Sequence, residues 1–309
     1  MTLAGVAPAY QGRPVNLAAF AFGSLQETDA SDGDHATWRN VLADQGYLYL
    51  PQVLDRHEVM TARQELLRRL GELNMLAEGV PWAEGVARPG VSTSSAHELA
   101  EDNPILDRVI YGERILDIFG RLLGGNVRHF DFTWLRAKTP GHDTATHPHC
   151  DKVFMGRGSA NLLTAWAPIG DCPLEMGGLV VLEGSHRQPE VLEYTRLDVD
   201  EYCSNGPDAA AIETGGQQWD ERAKNGAFEV DAIAVRERIG GRWLTSDFLA
   251  GDLLIFTMEM LHASLDNQTE RFRLSTDSRY QLSADPIDER WVGERPAAHG
   301  PGGKKALIC

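Results

Sequence analysis

Thr146-His147-Pro148-His149-Cys150-Asp151 and, far along the chain, Gly251-Asp252-Leu253-Leu254-Ile255-Phe256-Thr257-Met258-Glu259-Met260-Leu261-His262 are the two stretches that decide the fold. On an extended backbone, residues two apart project to one face, so His149 and Asp151 offer an imidazole and a carboxylate to the same point. A lone His-x-Asp is common by chance. The second stretch adds weight, because its apolar run reads as a buried strand that delivers His262 at its end. Two histidines and one carboxylate form the facial set that leaves three positions open on octahedral iron. Zinc more often takes a closed or three-ligand tetrahedral set. The long separation between Asp151 and His262 is what two non-adjacent strands of one barrel produce.

Around these stretches lie short β-rich runs at 127–138, 161–169, 178–183, 252–260 and 272–282, punctuated by Gly, Pro and Asn. The first third reads differently. A helix fits 36–43, Gly46-Tyr47-Leu48-Tyr49-Leu50-Pro51 alternates like a strand, and Asp55 caps a helix running to about Met75. A further amphipathic helix fits 104–123 and stops at Gly124-Gly125. The fold class is therefore α+β, with a sheet sandwich or barrel as its core. Residues 1–34 read as an irregular arm, 35–285 as one domain with its β core from about 126, and 286–309 as a C-terminal tail whose Gly300-Pro301-Gly302-Gly303-Lys304-Lys305 reads as a flexible end. The acidic, Gly- and Asn-rich stretch 186–246 has weak periodicity and reads as an insertion or lid.

A formal charge of −16 and a pI near 5.0 repel nucleic acid and anionic lipid, so neither is an expected partner. Four scattered cysteines without a CxxC pair predict a reduced, cytoplasmic protein. No run approaches the length of a membrane span. The partner expected is a small-molecule substrate, and the sequence carries no signature of oligomeric state.

After His262 a hairpin turning near Asn267 would bring Arg273 back beside the metal, with Ser275 on the same face. A guanidinium buried there needs an anion, and its fork matches a carboxylate. Arg271 and Arg279 share the alternation, so periodicity does not choose among the three. His147 shares a face with His149 and reads as a neighbour of the site rather than a ligand. His35, His57, His97 and His299 read as surface or internally satisfied polar residues. Phe154, Met155 and Arg157 face either substrate or the protein's own interior and surface.

His149-Cys150-Asp151, His262, Arg273, Ser275 and Arg279-Tyr280-Gln281 together resemble the phytanoyl-CoA dioxygenase family. So do Ala165-Trp166-Ala167-Pro168-Ile169-Gly170-Asp171 and the run from Gly177 to His186. The likeness spans roughly 35–285. It implies a double-stranded β-helix (jelly-roll) core with flanking N-terminal helices, and Fe(II) on His149, Asp151 and His262. It also implies 2-oxoglutarate as cosubstrate, its distal carboxylate on Arg273 with Ser275, and Thr146 and Trp166 touching it or lining its pocket. O2 is the oxidant, and succinate and CO2 are released. A carboxylate at 151 argues for hydroxylation over halogenation. Two other classes stand beside this one: a non-catalytic jelly-roll binding protein, and a metal enzyme that uses no 2-oxoglutarate. Arg273 separates the last, since without a dicarboxylate its charge has no evident partner.

Overall fold

The computed structural model describes residues 7–29, 35–92, 96–215 and 226–306. A hairpin, β1 (Ala9–Tyr10) with β2 (Arg13–Pro14), precedes β3 (Phe22–Ser24) and helix α1 (His35–Gln45). The turn into β4 (Tyr47–Leu50) is made by Gly46 at φ 76°, where a Cβ would meet His186 and Met260 at 2.5 Å. Glycine suits this position for both reasons. Helix α2 (Arg56–Glu72) begins as expected, with the Asp55 carboxylate accepting from the backbone N–H of His57 and Glu58. Next come α3 (Pro104–Tyr111), α4 (Glu113–Leu123), β5 (Val127–His129), β6 (Trp134–Lys138), α5 (Lys152–Met155), β7 (Leu163–Pro168) and β8 (Leu179–Leu182). The chain continues through α6 (Pro189–Tyr194), α7 (Val199–Asn205), α8 (Ala209–Glu213), α9 (Ala232–Ile239) and β9 (Trp243–Thr245). It closes with β10 (Leu253–Thr257), β11 (His262–Ser264), β12 (Arg273–Leu282) and α10 (Pro301–Lys305).

Two sheets form the jelly-roll. The larger runs β4-β10-β7-β12-β5, with β6 pairing the first half of β12, and the smaller runs β11-β8-β9-β3. Strand alternation sorts the side chains into layers. Tyr47, Tyr49, Trp166, Leu254 and Phe256 of the larger sheet meet Leu179, Val181 and Leu244 of the smaller one in an inner layer. Their neighbours Leu48, Leu50, Ala165, Leu253 and Ile255 face outward onto Val59, Leu66 and Leu70 of α2 and Ile115 and Phe119 of α4. The outer face of the smaller sheet, through Val180, Leu182 and Ala263, is covered by Tyr10, Val191, Ala232 and Val235. No helix among the described residues is long and apolar enough to cross a membrane.

The structure corrects four expectations. Helix 104–123 is two helices, because Gly112 between them is extended (ψ 172°) and its α-carbon packs on the Arg108 carbonyl, where a Cβ would sit at 2.1 Å. Apolar periodicity runs through the break and conceals it. The N-terminal arm is ordered over 7–29: besides the hairpin, β3 joins the smaller sheet parallel to β9. The stretch 186–246, expected as an insertion, carries α6, α7, α8 and α9 and ends in β9, an integral strand of the smaller sheet. Finally, the C-terminal segment is docked. Asp200 of α7 accepts from Arg290 Nη1 at 2.6 Å and from the Gly300 N–H at 3.2 Å, and pairs with His299 Nδ1 at 3.2 Å. Such partners are invisible to local sequence reading.

Trp291 is fully buried among Phe132, Trp134 and His299. Trp291→Ala is expected to cost about 3–5 kcal/mol of stability through transfer and cavity terms. Urea unfolding with an unchanged m-value measures it, whereas truncation in a flexible tail would leave the midpoint in place.

Candidate metal centre

His149 and His262 form a backbone pair, each N–H donating to the other's carbonyl at 3.0 Å. Their rings lie 4.2 Å apart between centroids. His149 Nδ1 lies 2.7 Å from the His147 carbonyl, and His262 Nδ1 lies 3.0 Å from that of Met260. A carbonyl only accepts, so each Nδ1 carries the proton and each Nε2 keeps a free lone pair. Those two Nε2 atoms stand 3.9 and 3.8 Å from Asp151 Oδ1. All three donor atoms fall within 4.8 Å of one another. The extended backbone expected through Asp151 ends earlier. Asp151 is already helical (φ −61°, ψ −25°) at the entry to α5, and this turn swings its carboxylate toward the two imidazoles.

The other carboxylate oxygen is occupied by the protein. Oδ2 accepts from Thr164 Oγ1 at 2.5 Å and from Arg279 Nη2 at 2.9 Å. Arg279 in turn stacks its guanidinium on Trp134, 4.3 Å from the ring centre. Burial alone would raise the Asp151 carboxyl, but Arg279, His262 and His149 outweigh it and hold it well below the usual carboxylate range. Burial first, and then the neighbouring His262, pull His149 down to about 3. An ionised Asp151 carboxylate and a neutral His149 imidazole are the protonation states a divalent cation needs of them. His149 is 21 % exposed in its side chain against 3 % for Asp151, so the centre opens to solvent on the His149 side.

The three arginines left open by the sequence have separate fates. Arg271 is exposed in the turn, Arg279 holds Asp151, and Arg273 is 3 % exposed. Arg273 Nη1 donates to Ser275 Oγ at 3.0 Å, its Nε has no partner, and it forms no ion pair among the described residues. Thr146 bonds Ser264 through its N–H at 3.0 Å and its hydroxyl at 2.8 Å. Trp166 is buried against Phe248 on the same inner face as Thr164, opposite Asp277 of β12. His147 is a strut: its Nδ1 donates to the Val230 carbonyl at 3.1 Å. Phe154 sits edge-on to the His149 ring, Met155 is core, and Arg157 pairs with Asp198.

The sequence reading missed Thr164 and the true task of Arg279. Both sit on strand faces already pointing inward, and their partner Asp151 lies far away in sequence, so no spacing announces them.

The sequence profile of the family described as phytanoyl-CoA dioxygenase (PhyH) matches residues 42–275. The chain belongs to this family. As a family member with this donor set, it is an Fe(II)- and 2-oxoglutarate-dependent oxygenase. A 1-deoxypentalenic acid 11-beta-hydroxylase of Streptomyces arenae is 26% identical over 255 residues, covering 77% of this chain and 78% of that protein. Two solved structures share the fold. EctD from S. alaskensis with bound Fe has a TM-score of 0.56 at 17% identity, covering 97% and 95% of the two chains. The epimerase SnoN from nogalamycin biosynthesis has a TM-score of 0.53 at 21% identity, covering 85% and 92%.

Arg279→Met removes one of the two groups that hold Asp151 Oδ2 while keeping bulk beside Trp134. Metal affinity is expected to fall about 10–100-fold, as for other groups that orient a ligand side chain, measured by titrating Co(II) or Fe(II) anaerobically.

Proposed function

We propose that the protein hydroxylates an aliphatic C–H bond of a small or mid-sized metabolite, consuming O2 and 2-oxoglutarate and releasing succinate and CO2. His149, Asp151 and His262 are the iron ligands in this reading. The observation that carries it is the shared geometry: two Nε2 lone pairs and one ionised carboxylate oxygen facing a common point. Bound iron supplies the activation of O2 by which one oxygen atom reaches the substrate and the other the cosubstrate. Everything else falls to the chain. Thr164 and Arg279 hold Oδ2 and so fix the rotation of Asp151, leaving Oδ1 as the oxygen that would meet a bound metal. The Met260 and His147 carbonyls fix the rings.

Arg273, with Ser275, is the anchor for the distal carboxylate of 2-oxoglutarate. A buried guanidinium with an unpartnered Nε and no anion is costly by itself and becomes favourable when a carboxylate arrives. The same feature argues against a metal enzyme that needs no dicarboxylate. Trp166 lines that pocket in this reading, and Thr146 borders it through Ser264.

Substrate enters on the exposed side of His149. Phe154 walls that side, and residues 226–230 run past it: the Phe228 N–H donates to the Pro148 carbonyl at 2.8 Å. This part of the 186–246 stretch is the piece that shapes substrate choice. A net charge of −16 disfavours a phosphate-rich thioester. Cys150, Cys172 and Cys203 are free and buried, in keeping with a reducing cytoplasm.

The test is succinate release with Fe(II), O2 and 2-oxoglutarate across a panel of metabolites. Asp151→Ala is expected to abolish it, and turnover persisting with stoichiometric iron would refute the ligand set. Arg273→Ala is expected to raise the KM for 2-oxoglutarate about 10–100-fold by removing a charge-assisted contact, with a smaller effect on kcat.

A further inference from the structure

We infer that Arg290 is a positioning residue for the substrate wall: by holding the Phe154 carbonyl, it lets the C-terminal segment set how large a group can approach the metal. The inference rests on the reading of Phe154 as the wall of the substrate side.

Helix α5 is four residues long, and its two ends are held by different parts of the chain. The first end follows Asp151 and is fastened to the turn between β10 and β11. There the Lys152 N–H donates to the Met258 carbonyl at 3.1 Å, and the Lys152 ammonium pairs with Glu259 at 2.7 Å. The other end carries Phe154. The closing carbonyls of a helix have no partner within it, and that of Phe154 accepts from Arg290 Nη2 at 2.9 Å. The Phe154 ring meets two imidazoles edge-on, with centroids 5.7 Å from His149 and 6.0 Å from His299 of the C-terminal segment. Gly226 also abuts it, so closely that a Cβ would stand 2.3 Å from the ring.

Arg290 is itself firmly held. Its Nε and Nη2 grip the two oxygens of Asp288, its Nη1 donates to Asp200 at 2.6 Å, and its side chain is 14 % exposed. A planar fork reaches two carboxylates and a carbonyl at once, whereas an ammonium is a single point of charge. Arg290 and His299, with Arg157 and Ser204, also line a cavity of about 450 Å³. The Phe154 end of α5 therefore has room to retreat when its fastening loosens, while Asp151 keeps the anchors at the other end. Arg290 thus governs the reach of Phe154 and leaves the metal ligands alone. The competing role is purely structural: Arg290 neutralises Asp200 and Asp288, and the wall stands without it.

Two probes of different size separate the roles. The protein is loaded with Co(II), and binding of imidazole and of 4-phenylimidazole at its open side is followed by the visible spectrum. Arg290→Lys keeps a cation beside the acids but loses the fork. It is expected to shift the ratio of the two affinities about tenfold toward the larger probe, with Co(II) affinity within about twofold. Asp288→Asn, which frees the fork, is expected to act in the same direction and stands in should Arg290→Lys fail to fold. Phe154→Ala shifts the ratio likewise, and adding Arg290→Lys to it shifts it no further, because residues that act through one another are not additive. An unchanged ratio with a lowered melting temperature, or effects that multiply in the double variant, overturns the inference in favour of the structural role. Phe154→Ala reports on the underlying reading. If it leaves the ratio intact, or if none of the proteins binds either probe, Phe154 is not the wall and the inference falls with it. If Phe154→Ala acts while Arg290→Lys and Asp288→Asn do not, only Arg290 loses its role.

Discussion

A single carboxylate divided between two tasks holds the site together. Asp151 gives Oδ2 to Thr164 and Arg279 and keeps Oδ1 for the point where His149 and His262 also aim. Burial opposes the charge, and the neighbouring guanidinium restores it. The strands that supply these partners, β7 and β12, are adjacent in the larger sheet, whereas His262 comes from the smaller one. The centre therefore exists only where the two sheets face each other. This is why α2 and α4, which pack on the far side of the larger sheet, contribute no donor to it.

How much of this was legible in the sequence follows from the range of each interaction. His149, Asp151 and His262 could be picked out as a candidate set from residue type and spacing, and the structure brings the three side chains together. The strands 161–169, 252–260 and 272–282 were readable because alternation is local, and each is found within a residue or three. The three arginines could not be told apart, since all alternate alike; only the position of Asp151 in space distinguishes Arg279 from Arg273. Gly112 escaped because the apolar face continues across it. The C-terminal segment escaped because what docks it, Asp200, lies about ninety residues upstream, and polar contacts across that distance leave no periodic trace.

The N-terminal hairpin deserves weight for a similar reason. Asp266, fully buried, accepts from Gly12 and from Ala145, so one carboxylate fastens the hairpin and the segment leading to His149 to the same turn. Tyr10 adds a hydrogen bond to the Val230 carbonyl at 2.8 Å, which His147 also engages. Three pieces of chain distant in sequence thus converge at the rim of the metal centre. Part of the acidic composition thus works inside the protein.

The reciprocal backbone bonds between His149 and His262 carry one more consequence. In such a pair the α-carbons are held about 5.5 Å apart by the sheet itself, before any ion arrives. Coordination then completes a cradle already in place, unlike a zinc finger, whose chain folds around its ion. The backbone bonds that bring His149 and His262 together thus owe nothing to a bound ion.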